Sequence, residues 1–110
     1  MRISWTQHAK ERYNERIIIH GISQVEIEQI VKKQEVRILE CFDEKYKKEK
    51  FKTIGKIAQR LFTIEKAEDS RNIYIITLWE SSQKEEEEWN SRKQQNAQSA
   101  AQQQSSERKQ

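Results

Sequence analysis

Apolar residues in this chain recur first with a helical period and then with a period of two. The opening RISWT alternates and is short, which predicts an edge strand. Ala9, Tyr13 and Ile17 then fall at i, i+4 and i+8, giving HAKERYNERII a buried stripe with Thr6 as its N-cap. His20-Gly21 closes this helix, because glycine accepts the left-handed conformation common at helix ends. In the following ISQVEI, Ser23 and Glu26 form a capping box, and Ile22 and Ile27 are spaced for a hydrophobic staple. A second helix is therefore expected over 24–33, burying Ile27, Ile30 and Val31.

From residue 36 the period changes. VRILECF (36–42), FKTIGKI (51–57), RLFTIEK (60–66) and NIYIITLWE (72–80) read as four strands. Only Ala58-Gln59 separates the second from the third, so these pair as a hairpin. The last strand is apolar on both faces, with Ile73, Ile75 and Thr77 on one and Tyr74, Ile76 and Leu78 on the other. Such a strand belongs at the centre of a covered sheet, as its most buried member, with helices 6–19 and 23–33 on one face. Ser82 and Glu85 make a second capping box, opening a helix through EEEEWNSRK in which Glu88 and Arg92 lie at i, i+4. The result is an α+β chain with a folded domain over 1–80 and a C-terminal helix over 81–95. The polar Gln/Ser segment 96–110 has no apolar face to dock and is expected to be disordered.

At 110 residues there is room for one domain. No apolar run approaches the 18 or so residues of a membrane span, and MRISWTQHAKERYNER lacks the apolar core of a secretory signal. A single cysteine excludes an internal disulfide framework, so a cytoplasmic setting is expected, with Cys41 as inert core. Two histidines twelve residues apart do not assemble a zinc set; neither metal nor cofactor is expected.

Charge changes this picture. The formal net charge is +3, yet Lys45–Arg60 alone holds seven basic side chains and one acid. Lys50, Lys52 and Lys56 share one face of their strand with Ile54, while Phe51, Thr53 and Ile57 share the other; Arg60 extends the basic face. A solvated hairpin would show this pattern, and so would a surface that meets phosphate. His8, Arg12 and Arg16 fall on one helix face, with His8 in the first turn as a neutral base and the arginines able to hold an anion. Trp79 could stack on a base.

Two stretches resemble a known family. HGISQVEI resembles the HG-(I/V)-S-x-x-E turn between the helices of BrnT-like toxins, in the RelE/ParE superfamily. KFKTIGKIAQRLFTIEK, followed by NIYIITLWESSQKEEEEW, resembles their RF-x-x-IG hairpin, terminal strand and acidic-basic helix. The N-terminal HAKERYNER also resembles the HA-x-x-R-x-x-x-R helix of a neighbouring uncharacterised family. The resemblance spans residues 3–92. It implies a RelE/ParE-like fold: two N-terminal helices packed on a four-stranded, mainly antiparallel sheet, plus a C-terminal helix. It implies the toxin of a type II toxin–antitoxin system, a metal-independent endoribonuclease that cleaves RNA, free or on the ribosome, and is held inactive by a cognate antitoxin. On that reading His8, Arg12, Arg16 and Lys50 are catalytic, and Lys52, Lys56, Arg60 and Trp79 bind RNA. Two positions depart from the family pattern. Lys50 stands where an arginine is usual, keeping charge without the bidentate fork, and Thr77-Leu78-Trp79 stands where the terminal strand usually offers an arginine. These departures leave a second expectation, a non-catalytic module that binds RNA or a protein.

Overall fold

The computed structural model describes residues 2–93. Strand β1 (Arg2–Trp5) leads into helix α1 (Gln7–Arg12). Thr6 caps this helix: its hydroxyl accepts from the Ala9 N–H at 3.1 Å and donates to the Ile76 carbonyl on a distant strand at 3.0 Å. The expected continuous helix over 6–19 is not formed. After Arg12 the backbone widens into a π-turn (Tyr13–Ile17) and then tightens into a 3₁₀ turn (Ile18–His20). Ala9, Tyr13 and Ile17 stay buried throughout, and the Tyr13 hydroxyl donates to the Ile22 carbonyl at 2.6 Å. Gly21 takes φ 73°, where a side chain would be strained. Helix α2 (Gln24–Lys33) starts at Ser23 with both bonds of its capping box in place.

Four strands follow: β2 (Val36–Asp43), β3 (Lys48–Ile57), β4 (Arg60–Glu68) and β5 (Asn72–Glu80). A third helix, α3, begins at residue 83 and is described to 93. The last two residues of the expected 81–95 helix, and the expected tail over 96–110, lie outside the described residues.

The expectation of two N-terminal helices on a four-stranded, mainly antiparallel sheet is corrected. Among the described residues a strand comes first, the sheet has five strands in the order β1-β5-β4-β3-β2, and β1 runs parallel to β5, so the sheet is mixed. RISW, expected at an edge, supplies the added strand. A second correction concerns the centre. It is β4, not β5, that has a strand pair on either side of the middle position, and β4 is the more deeply buried of the two.

Two bulges interrupt the register. In β2 Leu39 faces Phe51 and Cys41 faces Lys50, which leaves Glu40 as the extra residue. In β5 Thr77 faces Glu65 and Ile75 faces Lys66, leaving Ile76 extra. The second bulge flips the alternation, so Leu78, rather than Thr77, joins Ile73 and Ile75 in the core.

One sheet face is covered by α1, the turns after it and α2. There Ala9, Tyr13, Ile17, Ile27 and Ile30 pack against Phe62, Ile64, Ile73, Ile75 and Leu78. Ile30 sits directly on Gly55, where a Cβ would lie 2.5 Å from its Cγ2. The same face carries a buried ion cluster. Lys66 is fully buried and its ammonium lies 3.1 Å from Glu68, which also accepts two bonds from Arg37 at 3.0 and 2.7 Å. Burial pushes the Lys66 ammonium below its ordinary pKa, more than Glu68 restores.

Candidate functional site

The opposite face is only partly covered. Helix α3 docks at one end, with Trp89 against Val36 and Ile54. At the other end the β2–β3 turn folds over β5, where Tyr46 stacks on Tyr74 with ring centroids 5.3 Å apart. Between them lies an open strip of β3, β4 and β5.

The basic side chains of β3 project onto this face, as the alternation predicts, but three of the four meet an acid. Lys48 pairs with Asp69 at 2.5 Å, Lys50 with Glu65 at 3.4 Å and Lys52 with Glu85 at 3.6 Å. The hairpin register sets Glu65 directly opposite Lys52, and the β2 bulge turns Glu40 toward the same group. Burial raises the Glu40 carboxyl above its usual range, and Glu65 adds to this by repulsion and a shared hydrogen bond; Lys50 and Lys52 only partly offset it. Burial would lower Lys50, but Glu65 and then Glu40 outweigh it and hold its ammonium above the ordinary value. Glu85 runs the other way. Burial opposes its charge, yet bonds from the Ser82 N–H and the Trp79 indole, with help from Lys52, hold its carboxyl below the usual range. The centre of the open face is thus two lysines set among three glutamates, flanked by a bulge on either side.

The structure does not bring the expected catalytic set together. Arg12 and Arg16 belong to the helical layer on the opposite face from Lys50, and Arg12 is paired with Glu15 at 2.7 Å. His8 is exposed at the start of α1 and lines a pocket of about 730 Å³ with Tyr46 and Tyr74. Nor do the expected RNA-binding residues form one track. Lys52 stays beside Lys50, whereas Lys56 lies six residues along the strand, roughly 20 Å away, with the Ile54–Trp89 contact in between. Lys56 and Arg60 instead share a separate pocket at the β3–β4 turn, where Arg60 bonds Glu80 at 2.7 Å. Trp79 is half-buried and its indole N–H donates to Glu85 at 2.8 Å, which ties it to the start of α3. Cys41, expected in the core, is exposed on the edge strand β2.

Sequence reasoning missed Glu40, Glu65, Glu85, Tyr46 and Tyr74. For Glu65 a signal was present: once Ala58-Gln59 is read as a two-residue turn, the register places Glu65 opposite Lys52. No spacing rule announces the bulge that recruits Glu40.

Among the described residues no three His, Cys, Asp or Glu side chains are grouped to hold a metal ion, and no helix is long and apolar enough to cross a membrane. No family model matches the chain, and neither curated proteins nor solved structures provide a significant match.

Proposed function

We propose that the chain acts on RNA as the toxin of a cytoplasmic toxin–antitoxin pair, cleaving it on the open sheet face without a metal. The observation that carries this reading is the carboxyl pair Glu40–Glu65 beside Lys50 and Lys52. A carboxyl held above its usual range and hydrogen-bonded to a second carboxyl is suited to passing a proton. The resemblance of HGISQVEI and KFKTIGKI to toxin segments supports the same direction.

In this reading Lys50 and Lys52 leave their glutamates to hold the scissile phosphate and offset the charge that builds on its oxygens. Glu65 takes the proton from a ribose 2′-hydroxyl. The 2′-oxygen forms a bond to phosphorus as the bond from phosphorus to the 5′-oxygen breaks, and the Glu40 carboxyl gives a proton to that 5′-oxygen. The products are a 2′,3′-cyclic phosphate and a 5′-hydroxyl. The antitoxin would act by covering this face.

A second reading, a non-catalytic binding module, is favoured by one observation. Lys48, Lys50, Lys52 and Arg60 each have a carboxylate within 3.6 Å, so the basic stretch is largely neutralised by acids from other segments. One experiment separates the two. Purified chain is incubated with RNA in EDTA, and induced expression is scored for growth arrest. Cleavage by the wild type, reduced on the order of a hundredfold or more in Glu40→Gln, supports the enzyme. Salt-dependent RNA binding with neither cleavage nor growth arrest assigns the module.

A further inference from the structure

The open face ends in a feature that none of this chemistry uses. Between the segment leading into α1 and the β2–β3 turn lies the pocket of about 730 Å³, within the range of small-molecule sites. Tyr74 and Ile76 of β5, Gln7 and His8 at the start of α1, and Lys45 and Tyr46 of the β2–β3 turn are among the residues that line it. We infer that this pocket takes an unstacked nucleobase of single-stranded RNA, next to the phosphate held at Lys50. The inference rests on reading the open face as an RNA surface.

Three observations converge on a base. The first is the platform. Tyr46 and Tyr74 stack at 21° between planes, and a lysine ammonium lies over each ring, Lys45 over Tyr46 at 5.5 Å and Lys48 over Tyr74 at 5.7 Å. A base stacking here takes the place of an ammonium on a ring face, and the displaced lysine is then free to meet the phosphate attached to that base. The second is the rim. Gln7 and His8 offer both donors and acceptors to the edge of a base, and both are exposed.

The third is position. The strand register runs Ser4, Tyr74, Ala67, Lys50 across β1, β5, β4 and β3. Tyr74 and Lys50 therefore face the same way two strands apart, roughly 10 Å. Ala67, between them, adds only a methyl group and is itself fully buried. A single strand with a phosphate at Lys50 has a neighbouring base within reach of Tyr74. A duplex, whose bases are already paired and stacked, does not.

The test uses short oligonucleotides with 2′-O-methyl riboses, which lack the attacking hydroxyl and so report binding alone. Fluorescence anisotropy compares a base-bearing single strand, an abasic strand of the same length and a duplex, against the wild type and Tyr74→Leu. Stacking of one base leads to an expected loss of about five- to a hundredfold when the wild type is offered the abasic strand. Tyr74→Leu, and separately Tyr46→Leu, should lose a similar factor toward the base-bearing strand and bind the abasic strand unchanged. Lys50→Gln should weaken both strands alike. Equal binding of abasic and base-bearing strands by the wild type overturns the base pocket while leaving the RNA reading in place, and duplex binding as tight as single-strand binding does the same. No RNA binding at low salt by the folded wild type overturns both.

Discussion

Replacing Gly55 by alanine tests whether α2 is seated on the sheet as described. A Cβ at this position would lie 2.5 and 2.6 Å from the Cγ2 and Cγ1 of Ile30, against roughly 3.5–4.0 Å for ordinary carbon contacts. Helix or strand must therefore give by about 1 Å. Overpacking of this kind costs about 1–3 kcal/mol, and the gain from removing a glycine within a strand returns only about 0.5–1 kcal/mol. The expected net loss is about 1–2 kcal/mol, read as a lower urea midpoint by tryptophan fluorescence. Ile30→Ala alone should cost about 2–5 kcal/mol by leaving a cavity. The new methyl group partly fills that cavity in the double variant. Its loss should then fall short of the sum by on the order of 1 kcal/mol. A Gly55→Ala protein as stable as the wild type, or strictly additive losses, would refute the packing.

Four further outcomes follow from the same structure. Ala58 and Gln59 both have positive φ, 50° and 69°, in the two-residue β3–β4 turn; Ala58→Asn with Gln59→Gly should raise stability by about 1–2 kcal/mol in thermal melts. Within the buried cluster, Glu68→Gln leaves Lys66 without its counter-charge and should cost about 3–5 kcal/mol, whereas Lys66→Met should be near neutral in urea titrations because Arg37 still partners Glu68. Because the folded-state pKa of Lys66 lies below its ordinary 10.5, the unfolded chain binds more protons in the window just under 10.5; stability should rise with pH there, and that rise should vanish in Lys66→Met. Glu40 has the opposite sign: its folded-state pKa lies above 4.5, the native state binds more protons, and its contribution falls as pH climbs from 4.5, so Glu40→Gln should flatten that part of a stability–pH curve.

What could be read from the residues was what short range decides. The Ser23–Glu26 and Ser82–Glu85 boxes, the glycine at 21 and the alternation of Lys50, Lys52 and Lys56 each depend on neighbours within a few positions, and each appears as the pattern predicts. The parallel partner of RISW does not, because nothing in four residues specifies a strand 70 positions away. Ile76 looked like one more alternating residue, and the extra register step it occupies reversed the faces of everything after it. The site suffered most from this limit. The basic stretch is conspicuous in sequence because its acids are elsewhere; Asp69, Glu65 and Glu85 arrive only through strand pairing and the docking of α3.

The pairing of β1 with β5 also sets an order of assembly. β2 to β5 form a meander of successive hairpins, each closed by a short connection, while Arg2 must meet Asn72 across nearly the whole domain. Relative to a hairpin of about ten residues, closing a loop of that length costs roughly 2 kcal/mol more in chain entropy. During synthesis β1 emerges before β5, its one partner among the described residues, and Thr6 must wait for Ile75 and Ile76, whose carbonyls accept its N–H and hydroxyl. Until β5 is made, the strand that β1 pairs with is missing.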